Sequence, residues 1–341
     1  MKKYRWMAAL LAGMFGTGMA AAETVINAAG ASFPAPVYQV WTYQYGEEHR
    51  DVQVNYQSIG SGAGLNQIKA GTIDFAGSDN PLTAEELKAA GLVQFPMLTG
   101  GVVVIYNLPG IKNNTLALDQ ATLAGIFLGK IKKWNDPAIQ KLNPGLKLPK
   151  LPISVVHRAD SSGTTFIFTN YLSKISEEWA NKVGCGPAVK WPVGIGGQKN
   201  PGVCNNVAKS IGAIGYTEYT YALETKLAMA RLKNHDGNIV SAELESFTAS
   251  SANADWNNAP GFYMVLTDQP GEKSWPITGL TYIVLKAEQN DPAKCDAMLD
   301  YFNWCLTDGA EVAEKLHYVA LPDSLCDKLR QLWQQQFNWQ P

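Results

Sequence analysis

The chain has 341 residues, of which 46% are hydrophobic and 17% charged, with a formal net charge of −2 at neutral pH. This composition excludes a disordered chain, and the slightly acidic balance excludes the electrostatic footprint of a nucleic-acid binder. Such a length exceeds one typical hydrophobic core, so two lobes are expected.

Residues 1–22 read as a secretory signal: Lys2, Lys3 and Arg5 form a charged start, Trp6–Phe15 an apolar stretch, and Ala20-Ala21-Ala22 a small-residue cleavage site. The apolar stretch is too short for a membrane anchor. Cleavage near Ala22 removes three positive charges and no acid, taking the formal charge from −2 to −5. A chain of that charge attracts no anion at long range, so any anion must be held by local dipoles and directed donors.

Short strands then alternate with helices. Thr24–Ala28 reads as a strand, and a helix opens near Pro34 or Pro36, where proline in the first turn loses no hydrogen bond. Val52, Val54 and Tyr56 alternate as a strand before a helix over Ala63–Ala70. Ile73–Ala76 is the next strand, and Thr83-Ala84-Glu85-Glu86 is a capping box that opens a helix. Apolar runs at Val93–Leu98 and Val102–Tyr106 predict two strands joined by a turn or hinge at Gly100-Gly101. Helices follow over Asp119–Phe127 and Asp136–Leu142, a strand over Pro152–Val156, and a helix over Thr164–Leu172. Ala213–Tyr216, Leu227–Leu232 and Tyr282–Leu285 read as strands, and the chain ends in helices over Pro292–Leu306, Gly309–Leu316 and Pro322–Phe337. The alternation predicts an α/β architecture. The lobes expected from it are 23–100 with 276–341, and 101–275.

Three Ser/Gly segments lie where a strand pattern gives way to a helix pattern: Gly30-Ala31-Ser32-Phe33-Pro34, Ile59-Gly60-Ser61-Gly62-Ala63 and Arg158-Ala159-Asp160-Ser161-Ser162-Gly163-Thr164. A helix start carries unpaired N–H groups and a partial positive charge, so it suits an anion. Arg158 adds a guanidinium fork, Ser162 and Thr164 add hydroxyls, and Asp160 stands two residues away to hold the guanidinium. A single Ser or Thr here is more often an ordinary helix cap. Asp79, after the Ile73–Ala76 strand, is the unusual member. A carboxylate repels an anion unless the anion brings a proton to donate, as phosphate does and sulfate does not.

Catalysis finds little support. His49, His157, His235 and His317 are scattered without metal-ligand spacing, there is no serine-hydrolase elbow, and His157 beside Arg158 points to the opposite face of its strand. No P-loop or dinucleotide fingerprint occurs. The five cysteines match no zinc or thioredoxin pattern. Cys295 and Cys305 share a helix about 15 Å apart, too far to bond. Cys185–Cys204 is the best disulfide pair and Cys305–Cys326 a weaker one.

Further stretches complete a pattern that no single one makes: Val54-Asn55-Tyr56-Gln57, Gly129-Lys130-Ile131-Lys132-Lys133-Trp134, Leu142-Asn143-Pro144-Gly145-Leu146-Lys147-Leu148-Pro149 and Gly212-Ala213-Ile214-Gly215-Tyr216. With the Ser/Gly segments, they resemble the periplasmic phosphate-binding proteins of bacterial phosphate ABC transporters, from about Ala28 to about Trp333. The resemblance implies a two-lobed binding protein of type II-like fold, not an enzyme, that closes on inorganic phosphate and delivers it to membrane permease subunits. A monomer in the periplasm is expected, with no cofactor and no metal. Phosphate-binding positions carried over are Ser32, Phe33, Ser61, Asp79, Arg158, Ser162, Gly163 and Thr164, with Asp160 behind Arg158. The chain departs from the family pattern at Ser32 (often Thr), Ser161 (commonly Gly) and Gly62 (commonly Ser). A sulfate or molybdate receptor and an exported phosphohydrolase are the alternatives; Asp79 opposes the first, and the missing metal ligands oppose the second.

Overall fold

A computed structural model describes residues 24–340, and residues 1–22, read above as a secretory signal, lie outside the described residues. Nine strands form one mixed sheet in two halves. In the first, Thr24–Gly30 runs parallel to Val52–Ser58 on one side and to Phe75–Ser78 on the other. In the second, Ser154–Arg158 runs parallel to Ile195–Gly197 and to Ala213–Glu218. Strand Leu92–Tyr106 belongs to both. It pairs antiparallel with Thr278–Lys286 as far as Gly101, then with Ala213–Glu218 from Val102. At that change of partner the Trp275 indole donates to the Val102 carbonyl at 2.9 Å, inside the core.

Helices cover both faces, and large aromatic side chains seal them. Helix Ala35–Glu48 turns Tyr38, Trp41 and Tyr45 inward, and Tyr45 meets Tyr301 and Trp304 of helix Pro292–Leu306 edge to face. Each such ring, fully buried, contributes roughly 1.5–3 kcal/mol, with about 0.5–1.5 kcal/mol more for a well-set aromatic pair. The capping box at Thr83 and Glu86 forms as read and opens helix Ala84–Ala90. Helix Ser61–Ala70 stops at Gly71, whose φ of 70° is left-handed.

The structure corrects two expectations. Gly100 and Gly101 are not a turn or hinge but lie inside the unbroken strand Leu92–Tyr106. Their missing side chains make room for aromatic rings: a Cβ at Gly100 would lie 2.8 Å from the Phe33 ring, and one at Gly101 2.2 Å from the Phe247 ring. The cysteine pairings also fail, because all five thiols are free. Cys185 is exposed, whereas Cys204 is buried with its Sγ 3.4 Å from the Thr217 hydroxyl. Cys305 packs among Tyr38, Trp41 and Met97, and the Cys326 thiol turns to the Leu321 carbonyl.

Candidate functional site

Five chain segments converge where parallel strands end. Strand Thr24–Gly30 leads to Ser32, Val52–Ser58 to Ser61, and Phe75–Ser78 to Asp79. From the other half, Ser154–Arg158 delivers Arg158 and Ser162, and Ile195–Gly197 delivers Asn200. Ligands of open α/β sheets sit at such carboxyl ends. Ser32, Ser61, Asp79, Arg158, Ser162, Thr164 and Asn200 are each at most 3% exposed, so the two halves are closed on one another here.

Hydrogen bonds cross directly between the halves. Gly163 N–H donates to the Ser61 Oγ at 3.0 Å, Gly62 N–H to the Ser161 carbonyl at 3.1 Å, and Asn200 N–H to the Ser32 Oγ at 3.3 Å. Gly163 opens helix Gly163–Ile175 and has no room for a side chain. A Cβ there would lie 2.6 Å from the Asp79 Cβ, the Asp79 Oδ2 and the Ser61 Oγ. The departures at 62 and 161 also fit together: the Ser161 Oγ lies 2.2 Å from where a Cβ at Gly62 would stand. The hydroxyl side chain is thus supplied from the opposite wall.

The hydroxyl oxygens are already used as acceptors. Ser61 takes the N–H of Gly163 and, at 3.3 Å, that of Asp79; Ser162 takes that of Thr165 at 3.1 Å; Thr164 takes the Asn200 amide at 3.4 Å. Ser61 therefore has both lone pairs engaged and only its proton left to offer. Ser162 is an ordinary N-cap, but Ser32 and Ser61 are not caps of their helices. The outcome is a nest of donors.

Arg158 is held from two sides. Its Nε and one terminal nitrogen donate to Asp160 at 2.8 and 2.5 Å, and its other terminal nitrogen to the Asn200 Oδ1 at 3.3 Å. Three of the five guanidinium N–H groups are thereby engaged, and two remain for a ligand. Burial alone would push the Asp160 carboxyl up, but its hydrogen bonds to Arg158, the guanidinium charge and the Lys199 N–H hold it below the ordinary carboxylate range. Arg158 and Asp160 cancel as charges, so the nest attracts an anion by aimed donors rather than by net charge.

Asp79 is the one acceptor. Burial pushes its carboxyl up to about 7, against the opposing pull of the Thr281 hydroxyl, the Arg158 charge and the Ser61 hydroxyl. Its Oδ1 accepts from Thr281 at 2.9 Å, and its Oδ2 turns to the start of helix Gly163–Ile175. Phe33 contributes packing, its ring edge to face with Tyr318, whose hydroxyl donates to the Phe33 carbonyl at 2.8 Å. Tyr221 does the same for the Ser32 carbonyl at 2.7 Å.

The structure brings together all eight candidate ligand residues and Asp160. Sequence patterns alone miss Asn200, Thr281, Tyr221 and Tyr318. Asn200 stands at the second position of helix Lys199–Lys209, which follows a three-residue strand too short to leave a period. Gly196-Gly197 ahead of Lys199-Asn200 was the available signal. Among the described residues, no cluster of three or more metal-ligating side chains occurs.

Closed α/β halves around a buried donor nest define a solute-receptor class, and the PBP superfamily domain matches residues 17–308. A phosphate-binding protein PstS of Xylella fastidiosa (strain Temecula1) is 49% identical over 92% of this chain and 86% of its own length. One of Pasteurella multocida (strain Pm70) is 48% identical, covering 96% and 95%. A crystal structure of a putative phosphate ABC transporter substrate-binding protein with bound phosphate, from Clostridium perfringens, superposes with a TM-score of 0.64 at 20% identity, covering 87% of this chain and all of that one. The chain belongs to the PstS phosphate-binding protein family within the PBP superfamily.

Proposed function

We propose that this chain is an exported receptor that encloses one inorganic phosphate and hands it to the membrane subunits of a phosphate ABC importer. The observation that carries the reading is a single buried carboxylate, Asp79, set in a nest otherwise made of donors. Arg158, the hydroxyls of Ser32, Ser61, Ser162 and Thr164, and the N–H groups of Phe33, ahead of its helix, and Thr164 donate to the phosphate oxygens, while the Gly163 N–H is held by Ser61. Asp79 accepts the proton that phosphate carries. Asp160 fixes the guanidinium plane and takes no part in the contact. Dehydrated inside the closed protein, each donor is worth more than in water.

The same geometry disfavours sulfate. To be bound, sulfate would need Asp79 protonated, because an ionised carboxylate repels an anion that brings no proton, and burial places that carboxyl at about 7. That proton costs sulfate about tenfold in affinity at pH 8, and more at higher pH, which phosphate avoids by bringing its own. The lobes that close are 23–100 with 276–341, and 101–275, in line with the change of strand partner between Gly101 and Val102. Ligand binding favours closure because only the closed form offers donors from both sides. The sequence at 1–22 supports export to the periplasm, where a monomer would meet its permease.

Asp79→Thr tests the reading. Its sulfate affinity should approach its phosphate affinity at pH 8 in calorimetric titration. A gap as wide as that of the unaltered protein would remove Asp79 from the selectivity.

A further inference from the structure

Strand Thr278–Lys286 carries an irregularity that serves the site. It pairs Thr281 with Leu98 and Tyr282 with Pro96, so Met97 is an extra residue on the partner strand. Such a bulge bends a strand and re-aims the side chains beside it. On its other edge the strand pairs Tyr282 with Ser78, and the antiparallel register continued by one residue sets Thr281 opposite Asp79. Both side chains are buried, and the Thr281 hydroxyl donates to the Asp79 Oδ1 at 2.9 Å. The Oδ2 is left facing the Gly163 end of its helix.

We propose that Thr281 is a specificity-determining residue: it occupies one oxygen of Asp79, favours the ionised carboxylate, and leaves the Oδ2 as the single acceptor for the proton of the bound anion. This rests on the phosphate reading above. Without the hydroxyl, the ionised carboxylate loses a hydrogen bond and takes up a proton more readily. A protonated Asp79 accepts no proton from phosphate and no longer repels sulfate. The other groups facing Asp79 do not change charge in the range concerned. Arg158 is a permanent cation, and burial pushes Tyr38 and Tyr56 well above their ordinary values.

The test is calorimetric titration of Thr281→Val and Thr281→Ser with inorganic phosphate and with sulfate, from pH 6 to pH 8.5. Valine keeps the branched shape and removes the hydroxyl. Its phosphate-to-sulfate affinity ratio should fall about tenfold or more, and the loss of selectivity on acidification should begin at higher pH than in the unaltered protein. Serine should restore both. A valine variant with the unaltered ratio and pH profile overturns the assignment, as does a uniform weakening of both anions. A serine variant that loses the selectivity of the unaltered protein also overturns it, and this outcome is readable even if valine does not fold. Failure of the unaltered protein to bind phosphate would instead overturn the phosphate reading, and this assignment with it.

Discussion

Gly163→Ala should open the closed site by a known amount. The new methyl would stand 2.6 Å from three atoms on the facing wall, the Asp79 Cβ and Oδ2 and the Ser61 Oγ. Ordinary contact lies at about 3.5 Å or more, so the walls must part by about 1 Å. That stretches the 3.0 Å bond from Gly163 N–H to Ser61 beyond hydrogen-bond range and pulls Asp79 away from a ligand held by the helix start. One neutral hydrogen bond and one charge-assisted bond together represent about 2–4 kcal/mol, or about 30- to 1000-fold in affinity. The unliganded protein relieves the clash by opening, and Gly→Ala in a regular helical turn gains about 0.4–1 kcal/mol through the unfolded state. Calorimetric titration with phosphate, paired with urea unfolding, separates the two effects: affinity should collapse while stability is kept or rises slightly. Phosphate affinity within threefold of the unaltered protein would refute the close approach of the two walls.

Arg158→Ala should weaken phosphate binding at least tenfold, the range for a charge-assisted bond, as read by the same titration; unchanged affinity would remove Arg158 from the site. Glu218 is buried, its Oε2 has no hydrogen-bond partner, and burial pushes its carboxyl up to about 8. The unfolded chain loses that proton near 4.5, so the folded state is penalised increasingly from about pH 4.5 to 8 and by a constant amount above. Glu218→Gln should therefore raise the melting temperature at pH 8, by up to a few kcal/mol of stability, and leave it unchanged near pH 4; equal shifts at both would contradict the linkage. With all five thiols free, a reductant should leave the melting temperature unchanged, and a maleimide should label Cys185 in the native protein well before the other four. A reductant-sensitive melt would restore a disulfide.

Periodicity carried most of the fold. Helix Pro292–Leu306 falls where its pattern places it, because Asp291 and Pro292 mark its start and its inward face is apolar. Helix Ser61–Ala70 begins two residues before the predicted Ala63, since Gly60 in the left-handed region starts the turn without a side-chain cap and frees Ser61 to face the opposite wall. Gly100-Gly101 misled because local chemistry cannot distinguish a turn from a strand whose neighbours, Phe33 and Phe247, need the space. At the site, residues at strand ends were legible as N-terminal helix donors. Thr281 and Asn200 were not, because their roles depend on a cross-strand register and on a helix from another part of the chain.

The most direct measurement is calorimetric titration of the ligand-stripped, unaltered protein with phosphate and with sulfate at pH 8 and pH 6. The account predicts tight one-to-one phosphate binding at both values. It predicts sulfate binding that is much weaker than phosphate binding at pH 8 and about tenfold stronger at pH 6 than at pH 8, with close to one proton taken up per sulfate bound at pH 8. Sulfate binding that is strong, or independent of pH, would contradict the role given to Asp79; no binding of phosphate would return the three Ser/Gly segments to plain helix starts.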